Sequence, residues 1–213
     1  MAVSSSERVN AMDVPGVVLA ATVTAYWLGI GVMIVRVRRH AHRVVGVVPQ
    51  QTLERYLWLA WVPLAIVWIA LPWYAQSRVE PPLGLPEFAR ENPYALLRWL
   101  GAAVAFASLA ATVKSWARMG KDWRMAVTEE PGVALITDGM FSRIRHPIYA
   151  FSILLVLSSI VVVPTLPMLA CGAGLVSLWV IKAHNEERHM LHSRGDEYAR
   201  YLARTGRFFP RSR

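Results

Sequence analysis

Charge is scarce in this chain, because only 17% of its 213 residues are charged whereas 55% are hydrophobic. That balance is too apolar for an ordinary soluble domain. The single cysteine, Cys171, excludes an intramolecular disulfide and a metal site built on cysteines. The sequence also has no HExxH pattern and its histidines do not converge on one helix face, so we expect no metal site. Internal repeats and low-complexity segments are absent.

The apolar residues are gathered into uncharged runs, at 14–35, 56–77, 99–113 and 148–181. As one helix, the last run of 34 residues would reach about 51 Å, whereas a bilayer core is about 30 Å thick. Pro164 and Pro167 lie in its middle, and proline interrupts a helix. The last run therefore predicts a hairpin of two segments. The first run is too long for a cleaved signal peptide.

The sequence thus predicts an all-α, polytopic integral membrane protein with about five transmembrane helices. Residues 182–201 are rich in helix formers and charge, so the fifth segment is expected to continue as a cytoplasmic C-terminal helix with a break at Gly195. Whether the fifth segment spans the membrane or re-enters it stays open. We divide the chain into residues 1–113, with helices one to three, and a catalytic region at 114–213.

The net charge of +9 is distributed unevenly, because basic residues follow segments one, three and five. The positive-inside rule then places the N-terminus outside and the C-terminus in the cytoplasm. Topology accounts for these charges, so we expect no nucleic-acid partner. The basic residues in question are Arg36, Arg38, Arg39, Arg43, Arg55, Lys114, Arg118, Lys121, Arg124, Arg143, Arg145, Lys182, Arg188, Arg194, Arg200, Arg204, Arg207, Arg211 and Arg213.

Two polar clusters flank the hairpin: Arg-His-Pro-Ile-Tyr at 145–149 and Asn-Glu-Glu at 185–187. A hairpin returns both clusters to the same membrane face, where they form a candidate site. Pro147 suits the first position of a helix, so Arg145 and His146 are expected among free backbone N–H groups that favour an anion. The alternatives are an interfacial belt of Arg and Tyr and a solvated acidic pair. Glu186 and Glu187 point about 100° apart on a helix, which predicts different roles.

The order of motifs between about 120 and 210 resembles the isoprenylcysteine carboxyl methyltransferase family and is similar to the related phospholipid methyltransferases. The motifs are Arg-His-Pro-x-Tyr, the apolar hairpin, Glu-Glu, Gly-x-x-Tyr-x-x-Tyr and a closing Arg-x-x-Pro. The chain departs from the family pattern at Met190, where Leu is frequent, at Arg194, where an aromatic residue is expected, and at Ser152, where Gly is expected. Segments one to three match the family only in being apolar.

The resemblance implies a membrane methyltransferase that uses S-adenosylmethionine in a cytoplasmic pocket. It implies a cofactor-binding set of His146, Tyr149, Asn185, Glu187 and Tyr198, and a catalytic set of Arg145, Glu186, Arg204 and Arg207. The arginines are candidates to hold an anionic acceptor or the cofactor carboxylate. From spacing alone, Tyr198 and Tyr201 either cover the cofactor or rest on the membrane surface.

The leading functional hypothesis is carboxyl O-methylation of an isoprenylcysteine-like lipidic or prenylated acceptor that enters from the bilayer. A carboxylate acceptor is ionised at neutral pH and needs a cationic clamp rather than a base. The alternatives are N-methylation of phosphatidylethanolamine, S-methylation of a small thiol, and a non-catalytic membrane scaffold. The sequence does not determine the oligomeric state.

Overall fold

The computed structural model describes residues 12–41, 52–77, 80, 82–120, 123 and 135–211. These residues form α-helices and no β-strand, apart from one isolated bridge between Ile144 and Gly206. The helices are α1 (Val14–Ala41), α2 (Thr52–Gln76), α3 (Tyr94–Met119), α4 (Pro147–Val162), α5 (Leu166–Arg194) and α6 (Asp196–Arg204), with short 3-10 helices at Glu87–Arg90 and Gly139–Ser142. The predicted all-α fold is confirmed.

Four of these helices, α1, α2, α3 and α5, are long and apolar enough to cross a membrane. Helix α4 has 16 residues, which gives about 24 Å and falls short of a bilayer core of about 30 Å. With this shorter apolar helix the polytopic membrane fold is confirmed. The short member of the hairpin is the fourth segment, whereas the fifth segment, α5, has 29 residues.

Successive helices from α1 to α5 run in opposite directions, so each end of the bundle gathers termini from several helices. At one end, the Arg98 guanidinium of α3 donates to Asp13 Oδ2 at 2.5 Å and to the Val162 carbonyl at 2.7 Å. Arg98 is only 3% exposed, and these partners satisfy its buried charge. We call the other end, where α2 and α4 begin and α1, α3 and α5 finish, the basic end.

Helix α4 is fixed in place by polar and close apolar contacts with its neighbours. Tyr26 Oη and Ser152 Oγ lie 2.8 Å apart, and Trp68 Nε1 donates to Ser159 Oγ at 3.0 Å. Gly172 of α5 permits a close approach of α5 to α4, since a Cβ there would lie 2.8 Å from Ile160 Cδ1. These contacts hold the start of α4 at the basic end. There the polar residues that precede the helix meet the end of α5.

Candidate active site

The segment that leads into α4 is held by the C-terminal part of the chain. Helix α4 begins at Pro147 with His146 as its N-cap, as the sequence predicted. Gly206 N–H donates to the Arg143 carbonyl at 3.0 Å, and Arg145 N–H donates back to the Gly206 carbonyl at 2.8 Å. His146 N–H donates to the Arg207 carbonyl at 3.1 Å. The N–H groups of Arg145 and His146 themselves are therefore not available to an anion, because carbonyls of the C-terminal segment accept from them.

The break between α5 and α6 brings the C-terminal segment back to this position. It falls at Gly195, as predicted, and this residue has a φ of 47°, which glycine adopts without steric cost. Helix α6 then packs against the bundle through Tyr198 and Tyr201, both buried. Tyr201 Oη donates to the Phe141 carbonyl at 2.6 Å. Burial raises the pKa of Tyr201 to about 12, so the phenol stays protonated and keeps this hydrogen bond.

Glu187 is the buried centre of one group of charges. It is 5% exposed, and its Oε1 accepts from Arg145 Nε at 2.9 Å. Its Oε2 accepts from Arg207 Nη2 at 2.5 Å, and Arg207 Nε lies 3.1 Å from both oxygens. These hydrogen bonds raise the pKa of Arg207. Arg145 Nη1 also donates to the carbonyls of Leu202 and Thr205, so its orientation is fixed from both sides.

Glu186 has a different set of partners. Its Oε1 accepts a hydrogen bond from Tyr149 Oη at 2.6 Å, and Lys182 Nζ lies 3.6 Å from the same oxygen. Because adjacent helix positions point about 100° apart, Glu187 turns toward Arg145 and Arg207, and Glu186 turns toward α4 and Lys182. The structure therefore gives the two glutamates separate surroundings, as their spacing predicted.

His146 lies between the two carboxylates. Its Nδ1 is 3.5 Å from Glu186 Oε2, and its Nε2 is 3.3 Å from Glu187 Oε1. The geometry at Nε2 does not make a hydrogen bond, so this buried atom has no hydrogen-bond partner in the described part of the chain. The imidazole is stacked on the Tyr149 ring, with centroids 5.4 Å apart and planes at 7°. Buried polar atoms are normally satisfied, so Nε2 marks a place for a polar ligand group.

The other predicted site residues lie farther from this cluster or at its edge. Tyr198 is buried, and burial together with the nearby Glu187 charge raises its pKa. Arg204 is exposed, and its guanidinium lies over the Tyr201 ring, 5.8 Å from the centroid. Asn185 lines a separate groove of about 260 Å³ with Leu53 and Arg188, among others. Asn185 lies two positions before Glu187, which places it about 200° around the helix.

Sequence reasoning missed one residue that the structure brings to this cluster. Glu54, in the first turn of α2, is 0% exposed, and its Oε1 accepts from Lys182 Nζ at 3.2 Å. Lys182 itself was interpreted only as a topology charge. The sequence feature that could have identified Glu54 is its position as a lone carboxylate at the start of an apolar helix, where the positive-inside rule favours Lys and Arg.

A family model matches the part of the chain that contains most of this cluster. The model is that of the isoprenylcysteine carboxyl methyltransferase family, and it matches residues 101–192. We call this matched stretch, residues 101–192, the family region. The family region includes Arg145, His146, Tyr149, Glu186 and Glu187, begins after α2 and ends before α6. It confirms the resemblance and indicates a membrane methyltransferase. No curated protein matches the chain.

Proposed function

We propose that this protein is an S-adenosylmethionine-dependent methyltransferase that converts the carboxylate of an isoprenylcysteine-like lipid into its methyl ester. The observation that carries the proposal is the meeting of Arg145, His146 and Tyr149 with Glu186 and Glu187 at the basic end, inside the family region. The family match supports methyl transfer in general, and the charges of the site support the acceptor class.

The donor set fits the functional groups of S-adenosylmethionine, which carries an ammonium, a carboxylate and hydroxyl groups. The site offers two carboxylates, two guanidiniums, a phenol and an imidazole whose buried Nε2 lacks a hydrogen-bond partner. Glu186 and Glu187 would hold the cationic and hydroxyl groups of the cofactor, and His146 and Tyr149 would contact it beside them. When bound, the cofactor supplies a methyl group activated by its sulfonium.

The protein's contribution to the reaction is orientation and charge. Arg145 and Arg207 both pair with Glu187, and Arg207, whose side chain is 31% exposed, is the guanidinium better placed to reach an acceptor carboxylate. An acceptor carboxylate is already ionised at neutral pH, so no residue has to remove a proton from it. Holding donor and acceptor in line in a site with little water lowers the barrier by several kcal/mol.

The short length of α4 supports an acceptor that is lipidic. At about 24 Å, α4 does not reach across a bilayer core of about 30 Å. If the far end of α4 is placed at the opposite headgroups, its start lies about 6 Å inside the acyl-chain region. A lipid whose tail stays among the acyl chains would present its polar end at that depth. We also propose that the basic end faces the cytoplasm, as the distribution of Arg and Lys favours.

The function is tested with purified protein in detergent, methyl-labelled S-adenosylmethionine and two parallel acceptors, a farnesylcysteine analogue and phosphatidylethanolamine. Base treatment releases the methyl group of an ester as methanol, so volatile label from the farnesylcysteine reaction is the expected result. Label that stays in phosphatidylethanolamine after base would show N-methylation and replace the carboxyl acceptor. If neither acceptor is labelled and S-adenosylhomocysteine does not bind, the methyltransferase proposal fails.

The orientation is tested by placing a cysteine at Arg211, near the end of the described chain, and labelling intact cells with a membrane-impermeant maleimide. Cys171 is buried at 3% exposure and serves as the internal background. We expect labelling only after the membrane is opened, whereas labelling of intact cells would reverse the orientation.

A further inference from the structure

Glu54 is a fully buried carboxylate on a helix outside the family region. It is 0% exposed, whereas its neighbours Leu53 and Arg55 are exposed. Taking a carboxylate out of water costs several kcal/mol unless a well-placed cation compensates. A carboxylate buried here therefore depends on polar and cationic partners, which neither membrane topology nor apolar packing supplies. Lys182 forms an ion pair with Glu54 and leads directly to the candidate active site.

Lys182 lies between two carboxylates that belong to different helices. Its Nζ is 3.2 Å from Glu54 Oε1 on α2 and 3.6 Å from Glu186 Oε1 on α5. The shorter distance is a hydrogen bond, and the longer one is only an ion pair. The side chain of Lys182 is 16% exposed, so water compensates its charge only in part. Glu54 therefore determines the position of the Lys182 ammonium group.

The atom that Lys182 approaches at the longer distance is already used by the site. Glu186 Oε1 accepts the hydrogen bond from Tyr149 Oη at 2.6 Å. An ammonium group that lost Glu54 would close the gap to Glu186, because an unpaired buried charge is costly. It would then compete with Tyr149 for the same oxygen. The Tyr149 ring stacks on His146, so a shift of Tyr149 would disturb both residues on the α4 side of the site.

We propose that Glu54 is a positioning residue: it holds Lys182 back from Glu186, so that Glu186 keeps the hydrogen bond of Tyr149. The consequence for ligand binding rests on the proposed function, since it assumes that Tyr149 and Glu186 contact the cofactor. The network itself does not depend on that function. The methyltransferase site then depends on α2, which precedes the family region.

The first experiment compares S-adenosylhomocysteine affinity, by calorimetry on purified protein, with the thermal unfolding midpoint of each variant. Glu54→Gln removes the negative charge, and the remaining amide oxygen holds an ammonium group much less strongly than a carboxylate, so Lys182 moves toward Glu186. We expect about ten- to hundredfold weaker binding, the effect of losing one hydrogen bond to a charged group. Glu54→Asp keeps the charge and should recover part of the affinity. Lys182→Met removes the ion-pair partner of Glu54, so the unfolding midpoint should fall. It also removes the ammonium group that competes with Tyr149, so the affinity for S-adenosylhomocysteine should stay near that of the wild type.

The different effects expected for Glu54→Gln and Lys182→Met on affinity distinguish a positioning role of Glu54 from a merely structural ion pair. If the pair only stabilised the fold, both single variants would lower the midpoint and neither would change the affinity. If Lys182 itself held the ligand, Lys182→Met would lose affinity as well; either pattern overturns the proposal. The matched control is Glu87→Gln, an exposed carboxylate at the opposite end, which should change neither quantity.

A second experiment needs no ligand. Tyr149→Phe removes the hydrogen bond to Glu186 and should lower the unfolding midpoint in the wild type and in Lys182→Met. In Glu54→Gln this bond is already lost, so the same change should have little effect there. Equal effects of Tyr149→Phe in all three backgrounds would refute the positioning role. A wild type that binds no S-adenosylhomocysteine, with the coupling present, would refute the proposed function alone.

Discussion

The ion pairs of Glu187 provide the sharpest test of the site's architecture, through the substitution Glu187→Gln. Glutamine has nearly the same shape, so the change removes the negative charge and one acceptor oxygen while the packing stays. Glu187 is 5% exposed and faces Arg145 at 2.9 Å and Arg207 at 2.5 Å. The two guanidiniums would keep their positions and lose their common counter-charge.

The magnitude follows from how far each arginine can reach water. The Arg207 side chain is 31% exposed and can be solvated, whereas the Arg145 side chain is 8% exposed and cannot. Leaving one buried charge without its partner costs about 3–5 kcal/mol. The glutamine amide oxygen still accepts one hydrogen bond, worth about 1 kcal/mol. The expected loss is therefore about 2–4 kcal/mol, and a loss of about 3 kcal/mol would lower the unfolding midpoint by about 6–12 °C.

The assay is thermal unfolding of the purified protein in detergent, with Glu197→Gln as the matched control. Glu197 lies on α6 and forms an exposed pair with Arg194 at 3.4 Å. Exposed pairs contribute about 0–1 kcal/mol, so the control should barely move the midpoint. Equal shifts for the two variants would refute the assignment of Glu187 as the buried centre of the charge cluster.

Two further predictions concern the hydrogen bond on α4 and the backbone of the C-terminal segment. Tyr149→Phe removes the donor to Glu186 and should weaken S-adenosylhomocysteine binding by about ten- to hundredfold in calorimetry, since hydrogen bonds to charged groups are worth about 1.5–3 kcal/mol. Unchanged affinity would show that Tyr149 does not contribute to the site. Gly206→Ala places a Cβ against the Phe209 carbonyl and should lower the unfolding midpoint. It should also lower the affinity for S-adenosylhomocysteine, because a shift of the backbone at residue 206 moves the adjacent Arg207. Its control, Gly31→Ala, meets no atom within 4 Å on an exposed helix face and should be neutral or stabilising by up to about 1 kcal/mol. Similar losses in the two glycine variants would contradict the steric argument.

The fold was largely predictable because membrane helices are specified by local sequence. A run such as 14–35 has to form a helix in lipid, since nothing else satisfies its backbone hydrogen bonds. Pro164 and Pro167 predicted the turn of the hairpin, and Pro147 and Gly195 marked the start of α4 and the end of α5. The relative lengths of α4 and α5 were harder to predict, because an uncharged run does not show where its helices end.

The site was predictable only in the parts that lie next to the hairpin. Hairpin topology alone brings Arg145, His146 and Tyr149 to Glu186 and Glu187, and the structure shows these contacts. The position of Arg204 was not predictable, because α6 has charged residues on several sides and only packing decides which one turns inward. Arg207 reaches Glu187, whereas Arg204 lies outside over Tyr201.

The sequence by itself determined the membrane class, the helical hairpin and the two polar motifs at its ends, because each depends on residues close together in the chain. Tertiary structure alone decided the pairing of Gly206 with Arg143 and Arg145, which occupies the backbone N–H of Arg145 just before α4. It also decided the burial of Glu54 against Lys182, 128 residues away. Contacts at such separation follow from how helices pack on one another, and local composition carries little information about that packing.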